Sequence, residues 1–156
     1  MKRFIANSKT DCSELKEKRT HFYEEINKAV EYFPAQINEK VWGNEVSIGY
    51  EPYYTVKLMT ITPGYQCSIH SHSFKTESFY LISGKLTVET INTKTGITTI
   101  TNLTEGFDNI TILPNTPHRF YCADDNEVKF IEVSTAEYTD DNNRFAPSGP
   151  RAKPTE

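Results

Sequence analysis

His70 and His72 stand two residues apart, and Glu77 follows five residues later. Alternate side chains of a strand project from the same face, so the two imidazoles point one way and lie close enough to share a cation. If Ser73-Phe74-Lys75-Thr76 turns the chain, Glu77 opens the return strand beside them. His118 opens a later strand, directly after Pro114-Asn115-Thr116-Pro117. The two prolines fix φ and aim the residue that follows. Three nitrogens and one carboxylate make a donor set for one divalent metal ion, with Mn, Zn, Fe, Co and Ni all compatible. Four protein ligands leave one or two positions open on a five- or six-coordinate ion. Cys67 is three residues before His70, and alternation within a single strand puts it on the opposite face.

Other polar residues near these positions have weaker claims. Lys75 reads either as a substrate contact beside the metal or as an exposed turn lysine. Glu132 reads as a candidate base or as the partner of a basic side chain. Tyr80, with Tyr54 and Tyr65, reads as pocket lining or core filling. Alternation points Arg119 away from the metal, Trp42 reads as packing, and His21 falls in a predicted helix, away from the ligand set.

Three zones position these residues. The first, 1–38, contains a helix predicted over 11–33, with Leu15, Phe22, Ile26 and Val30 at helical spacing and Pro34 ending it. The second, 39–138, changes to short runs of Val, Ile, Thr, Tyr and Phe. Strands are expected near 41–49, 54–62, 65–71, 77–83, 85–92, 97–102, 109–113, 118–122 and 127–134. Turn signals separate them, among them Pro63-Gly64, Ser83-Gly84 and Thr95-Gly96. Strands so close together leave no room for helical crossovers, so the sheet is antiparallel and the fold all-β. The third zone, 139–156, is polar, holds Pro147, Pro150 and Pro154, and reads as an extended or disordered tail.

With 156 residues the chain has the size of one domain. A net charge of −4 argues against nucleic acid as a partner, because phosphate binding needs a basic surface. No apolar run is long enough for a membrane helix, and the N-terminus lacks the apolar stretch of a secretion signal. Three cysteines without CxxC spacing argue against a disulfide framework and for a cytoplasmic location.

These features resemble the cupin superfamily. Gly64, His70, His72, Glu77 and Gly84 match every fixed position of the first cupin motif at its spacing. Gly106, Pro114 and His118 match three positions of the second motif. Thr116 replaces its other glycine, the gap between Gly106 and Pro114 is two residues longer than usual, and Tyr121-Cys122 stands where the final asparagine would be. The resemblance implies a cupin-type antiparallel β-barrel, or jelly roll, with His70, His72, Glu77 and His118 as metal ligands. The phrases around Trp42-Gly43-Asn44-Glu45, Glu77-Ser78-Phe79-Tyr80 and Pro117-His118-Arg119-Phe120, and the run Glu132-Val133-Ser134-Thr135 followed by Asp140-Asp141 and Arg144, are similar to small sugar isomerase cupins. That group includes proteins like D-lyxose isomerase and the cupin domain of type II mannose-6-phosphate isomerase. The activity implied is metal-dependent aldose–ketose isomerisation of a carbohydrate substrate through an enediolate, in a homodimer. An iron-dependent cupin dioxygenase and a non-catalytic metal- or sugar-binding cupin are the alternatives.

Overall fold

The computed structural model describes residues 34–51, 53–135 and 140–151. The helix expected over 11–33 lies outside them. Thirteen strands fill the described residues, and no helix occurs among them, so none there could cross a membrane. In chain order they are β1 (Gln36–Lys40), β2 (Gly43–Glu51), β3 (Tyr54–Ile61), β4 (Tyr65–Gln66), β5 (Ile69–Ser71), β6 (Glu77–Ser83) and β7 (Leu86–Ile91). Then follow β8 (Thr98–Leu103), β9 (Asn109–Ile112), β10 (His118–Cys122), β11 (Val128–Thr135), β12 (Asn143–Ala146) and β13 (Gly149–Pro150).

All pairings are antiparallel, and they build two sheets. One has the order β1-β2-β3-β11-β6-β9. In the other, β10 is central: β7 and then β8 lie on one side, and β4 and β5 share the other side, extended by β13 and β12. No ladder joins the two sheets among the described residues. The fold is therefore a two-layer sandwich rather than the fully closed barrel expected from the sequence. The chain changes sheet between β3 and β4, β5 and β6, β6 and β7, β8 and β9, β9 and β10, β10 and β11, and β11 and β12. The layers meet through side chains instead of backbone ladders.

Alternation supplies those side chains. Along β11, Val128, Phe130, Glu132 and Ser134 are buried while Lys129, Val133 and Thr135 are exposed. Met59 and Ile61 on β3, Phe79 and Leu81 on β6, Leu86 and Val88 on β7, and Phe120 on β10 complete the inner rows. Phe79 and Phe130 of the first sheet meet Phe120 of the second edge to face, with centroids 5.6 and 5.2 Å away. Trp42 packs against the same ring at 5.4 Å, the packing role read from the sequence.

Two glycines of the first motif sit at sheet-changing corners with positive φ, Gly64 at 78° and Gly84 at 78°. A Cβ on Gly84 would lie 2.4 Å from the Glu127 carbonyl oxygen, whereas one on Gly64 would meet nothing. We expect Gly64→Ala to cost about 1 kcal/mol, the strain of a left-handed residue alone. Gly84→Ala adds a backbone clash, so its loss should exceed about 2 kcal/mol. Urea unfolding would compare them, and equal midpoints would contradict the corner's geometry.

Three differences from the expected strands bear on the site. The run 65–71 is broken at Cys67-Ser68 into β4 and β5. An additional edge strand, β1, precedes the predicted β zone. Among residues 140–151, part of the zone read as an extended or disordered tail, two segments are paired: β12 adds to β5 and β13 to β4. Polar edge strands carry little apolar alternation. Their stability comes from backbone bonds to a neighbour distant in sequence, which composition does not display.

Candidate metal centre

The polar site occupies one end of the space between the sheets. In the first sheet the inward rows run across β3, β11 and β6. The row Met59–Phe130–Leu81 is apolar, and the next, Lys57–Glu132–Phe79, is half polar. The row after it, Thr55–Ser134–Glu77, is polar throughout. The second sheet makes the same change along β10, from Cys122 and Phe120 to His118. His118 pairs in register with His70 on β5. The apolar core thus grades into a buried polar end, where a cavity of about 590 Å³ opens. That volume falls in the range of small-molecule sites.

His70, Glu77 and His118 each offer one ligand atom, and these atoms all lie within 4.8 Å of one another. The proposed fourth ligand, His72, is not in this tight group. It lines the same cavity, its ring 5.2 Å from that of His70 and 6.2 Å from that of His118. His72 follows the last residue of β5, and its carbonyl accepts the Asn115 N–H at 2.6 Å. Asn115 holds a positive φ of 61° in the proline-flanked turn that introduces His118. That turn therefore ties the two histidine segments together as well as aiming His118.

The imidazoles share one hydrogen-bond pattern. Nδ1 of His70 donates to the Ser68 carbonyl at 3.0 Å, Nδ1 of His118 to the Thr116 carbonyl at 2.9 Å, and Nδ1 of His72 to the Asp141 carbonyl. A carbonyl only accepts, so Nδ1 carries a proton, and a ring holding no second proton presents Nε2 as a bare lone pair. A backbone carbonyl on the remote nitrogen is the usual support of a metal-ligating histidine. Burial, with His118 close by, also pushes His70 down to about 4, which keeps it unprotonated at neutral pH.

The fit to a cation rests on two orphaned atoms. His118 Nε2 and Glu77 Oε1 lie 2.8 Å apart. Both are fully buried and neither makes an aligned hydrogen bond. Two facing acceptors repel unless positive charge, either a proton on Nε2 or a cation, lies between them. Ligand bonds of about 2.0–2.2 Å put neighbouring donor atoms on one metal roughly 3 Å apart, so the spacing suits a shared divalent ion. Burial raises the Glu77 carboxyl, but a proton on His118 Nε2 at one oxygen and Lys75 at the other outweigh it and hold the group well below the usual carboxylate range, and a cation in place of that proton would act in the same sense.

Lys75 is not an exposed turn lysine. It is 6% exposed and lines the cavity. Its Nζ lies 2.9 Å from Glu77 Oε2 and 2.7 Å from Glu132 Oε1. Burial by itself favours loss of the Lys75 proton, yet the carboxylates of Glu132 and Glu77 more than reverse this, so its pKa is raised and the ammonium stays charged. Glu132 is buried on the inward row and faces the same cavity, with Lys75 as its basic partner. Tyr80, by contrast, is 38% exposed on the outer face of β6, opposite Glu77 and Phe79, and does not line the cavity. Its reading as a substrate contact is withdrawn. Arg119 points outward, as alternation requires, and pairs with Glu89 at 2.5 Å. Cys67 does border the cavity, because the break after β4 cancels the parity argument that turned it away. Burial pushes its thiol far up, and its sulfur accepts the Phe120 N–H at 3.1 Å.

Sequence reasoning missed Lys57 altogether. A lysine between Val56 and Leu58 was the signal, but apolar residues on both parities of β3 hid which row faces inward. Asp141 appeared only within a resemblance, without a role. It is 5% exposed, and its carboxylate accepts the backbone N–H groups of Ser73, Phe74 and Lys75, the last at 3.0 Å. Arg144 on β12 stands opposite His70 in register and lines the cavity.

Comparison with known proteins agrees with this geometry. Residues 57–134 match the family model for the cupin domain. No curated protein sequence matches the chain. Among solved structures, the capsular polysaccharide assembling protein CapF from Staphylococcus aureus superposes with a TM-score of 0.67 at 17% identity, covering 88% of this chain and 42% of CapF. Oxalate decarboxylase from Bacillus subtilis superposes with a TM-score of 0.63 at 17% identity, over 76% of this chain and 33% of the decarboxylase. The chain thus spans well under half the length of either protein. At these identities the likeness is one of fold.

Proposed function

Because the chain belongs to the cupin family, we propose that it is a metal-dependent isomerase that interconverts the aldose and ketose forms of a sugar or sugar phosphate. One observation carries this reading: a buried Lys75–Glu132 pair lies directly against the Glu77 carboxylate of the metal-ligand cluster, inside a cavity of small-molecule size. Isomerisation needs a grip on two adjacent oxygens and a group that moves one proton between two carbons. In this reading the cation at Glu77 is the grip and Glu132 the proton-moving group, and the Lys75 ammonium lies between the two carboxylates.

His70, His118 and Glu77 would hold the cation, with His72 beside them. When bound, a divalent ion supplies Lewis-acid polarisation of a carbonyl and its neighbouring hydroxyl. Glu132 is the base in this reading. It removes the proton from the carbon next to the carbonyl and returns it to the former carbonyl carbon, while the hydroxyl proton passes from the one substrate oxygen to the other. Lys75 keeps the Glu132 carboxylate in place and, staying protonated, adds positive charge where a substrate oxygen becomes negative. Met59, Trp42 and Phe120 form an apolar wall that limits water at the reacting carbons. CapF, which shares this fold over 42% of its length, is described as a capsular polysaccharide assembling protein, and that description supports a carbohydrate substrate in this reading.

Protein purified without added metal should carry a divalent ion by elemental analysis. It should also turn over at least one member of a panel of pentoses, hexoses and their phosphates. Chelation should stop turnover and the same ion restore it. Glu132→Gln should slow the reaction by about 10²–10⁴-fold, the usual worth of a positioned base. Absence of aldose–ketose exchange with every divalent metal tried would overturn the proposal.

A further inference from the structure

We propose that Lys75 is a positioning residue for the metal site: its ammonium holds Glu77 to single-oxygen presentation and links that carboxylate to Glu132. The inference rests on the metal-site reading above and deepens it.

A carboxylate can give a cation one oxygen or two. In this site the two oxygens of Glu77 are in different surroundings. Oε1 faces His118 Nε2 at 2.8 Å without a hydrogen bond, while Oε2 is held by Lys75 Nζ at 2.9 Å. The ammonium takes a lone pair of Oε2 and so competes with two-oxygen ligation, leaving Glu77 to fill one coordination position and the others open to substrate. The clamp is anchored from the backbone. Asp141 accepts the N–H of Lys75 and of the two residues before it, and the Asn115 N–H holds the His72 carbonyl at the start of the same loop. Glu132 balances the lysine's charge at 2.7 Å, so the positioning is achieved without a net positive charge beside the cation.

Charge and positioning predict opposite results when Lys75 is neutralised. If Lys75 acted only as a charge, Lys75→Met would remove a repelling cation and Mn²⁺ would bind more tightly. If it positions Glu77, Mn²⁺ should bind about 10–100-fold more weakly, as happens when an outer support of a ligand is lost. The full chain would be titrated with Mn²⁺ alone by calorimetry, with circular dichroism to confirm the fold. Lys75→Met leaves Glu132 unpaired and can unfold the chain. The double variant Lys75→Met/Glu132→Gln removes the pair together and carries the same expectation. The absorption spectrum of bound Co²⁺ supplies the second readout. It should differ from wild type in Lys75→Met and in the double variant but not in Glu132→Gln, which keeps the clamp. A purely structural role would lower the melting temperature and leave that spectrum unchanged. Affinity equal to or tighter than wild type, or an unaltered Co²⁺ spectrum, would overturn the role of Lys75. A wild-type chain that binds no Mn²⁺ or Co²⁺ would instead overturn the metal site itself.

Discussion

His118→Ala should lose its metal: affinity falls by more than about 100-fold, beyond what loss of an outer support costs, and any metal-dependent turnover goes with it. His118 has the deepest position of the ligand group, at the end of the inner row of β10 and paired across to His70. Its Nε2 is 2.8 Å from Glu77 Oε1 and has no other partner. Alanine removes one of three converging donors and leaves a buried carboxylate facing a void. The ring also stands 6.2 Å from Phe79, where the site meets the aromatic core, so some loss of stability accompanies the loss of metal. His72→Ala makes a useful contrast. Its ring lies outside the tight group, and its removal should weaken binding less than that of His118. Elemental analysis after gel filtration, with unfolding curves for each variant, would measure both effects. A His118→Ala protein that retains stoichiometric metal would show that the cluster is not the ligand set.

Asp141→Ala should destabilise the protein by about 3 kcal/mol, because hydrogen bonds to a charged acceptor are worth roughly 1.5–3 kcal/mol each and stranded donors add to the loss. The carboxylate receives three consecutive N–H groups, from Ser73 to Lys75, and its carbonyl takes the Nδ1–H of His72. It reaches across more than sixty residues of sequence to fix the loop that carries Lys75 and leads into Glu77. Burial raises the Asp141 carboxyl, but the backbone N–H groups of Ser73, Phe74 and Lys75 outweigh it, and its pKa ends below the usual value. The sign of the pH effect follows from linkage. The carboxylate's contribution is complete above its unfolded value of about 3.9 and fades as pH falls through the lower folded value. The wild type should therefore lose stability on acidification through that window, and Asp141→Ala should lose correspondingly less. Chemical unfolding at neutral and acid pH would test this, and parallel pH profiles for the two proteins would contradict it.

The ligand types were legible because imidazole is scarce here: the chain has four histidines, and three lie between residues 70 and 118. Alternation then located most strands, since Val128, Phe130 and their like need one buried face. Lys75 was not legible. A lysine in a four-residue connection looks solvated until Asp141, Glu77 and Glu132 surround it, and those partners come from three separate elements. Lys57 was hidden for a related reason. With Val56 and Leu58 on one parity and Met59 and Ile61 on the other, either face of β3 could have been the core. The edge strands β1, β12 and β13 are too polar to announce themselves, and only their partners' unpaired backbone groups make them strands.

The order of residues along the chain by itself determined the chemistry that is possible: three imidazoles, a carboxylate, and glycines at two of the corners where the chain changes sheet. The tertiary structure alone decided which of those groups meet, that His72 stands slightly apart, and that a buried lysine lies between two glutamates. The reason is physical. Donor type and strand parity are local properties of a few residues. The direction a side chain faces, and the charge it meets there, depend on which strands pair and which layer lies opposite.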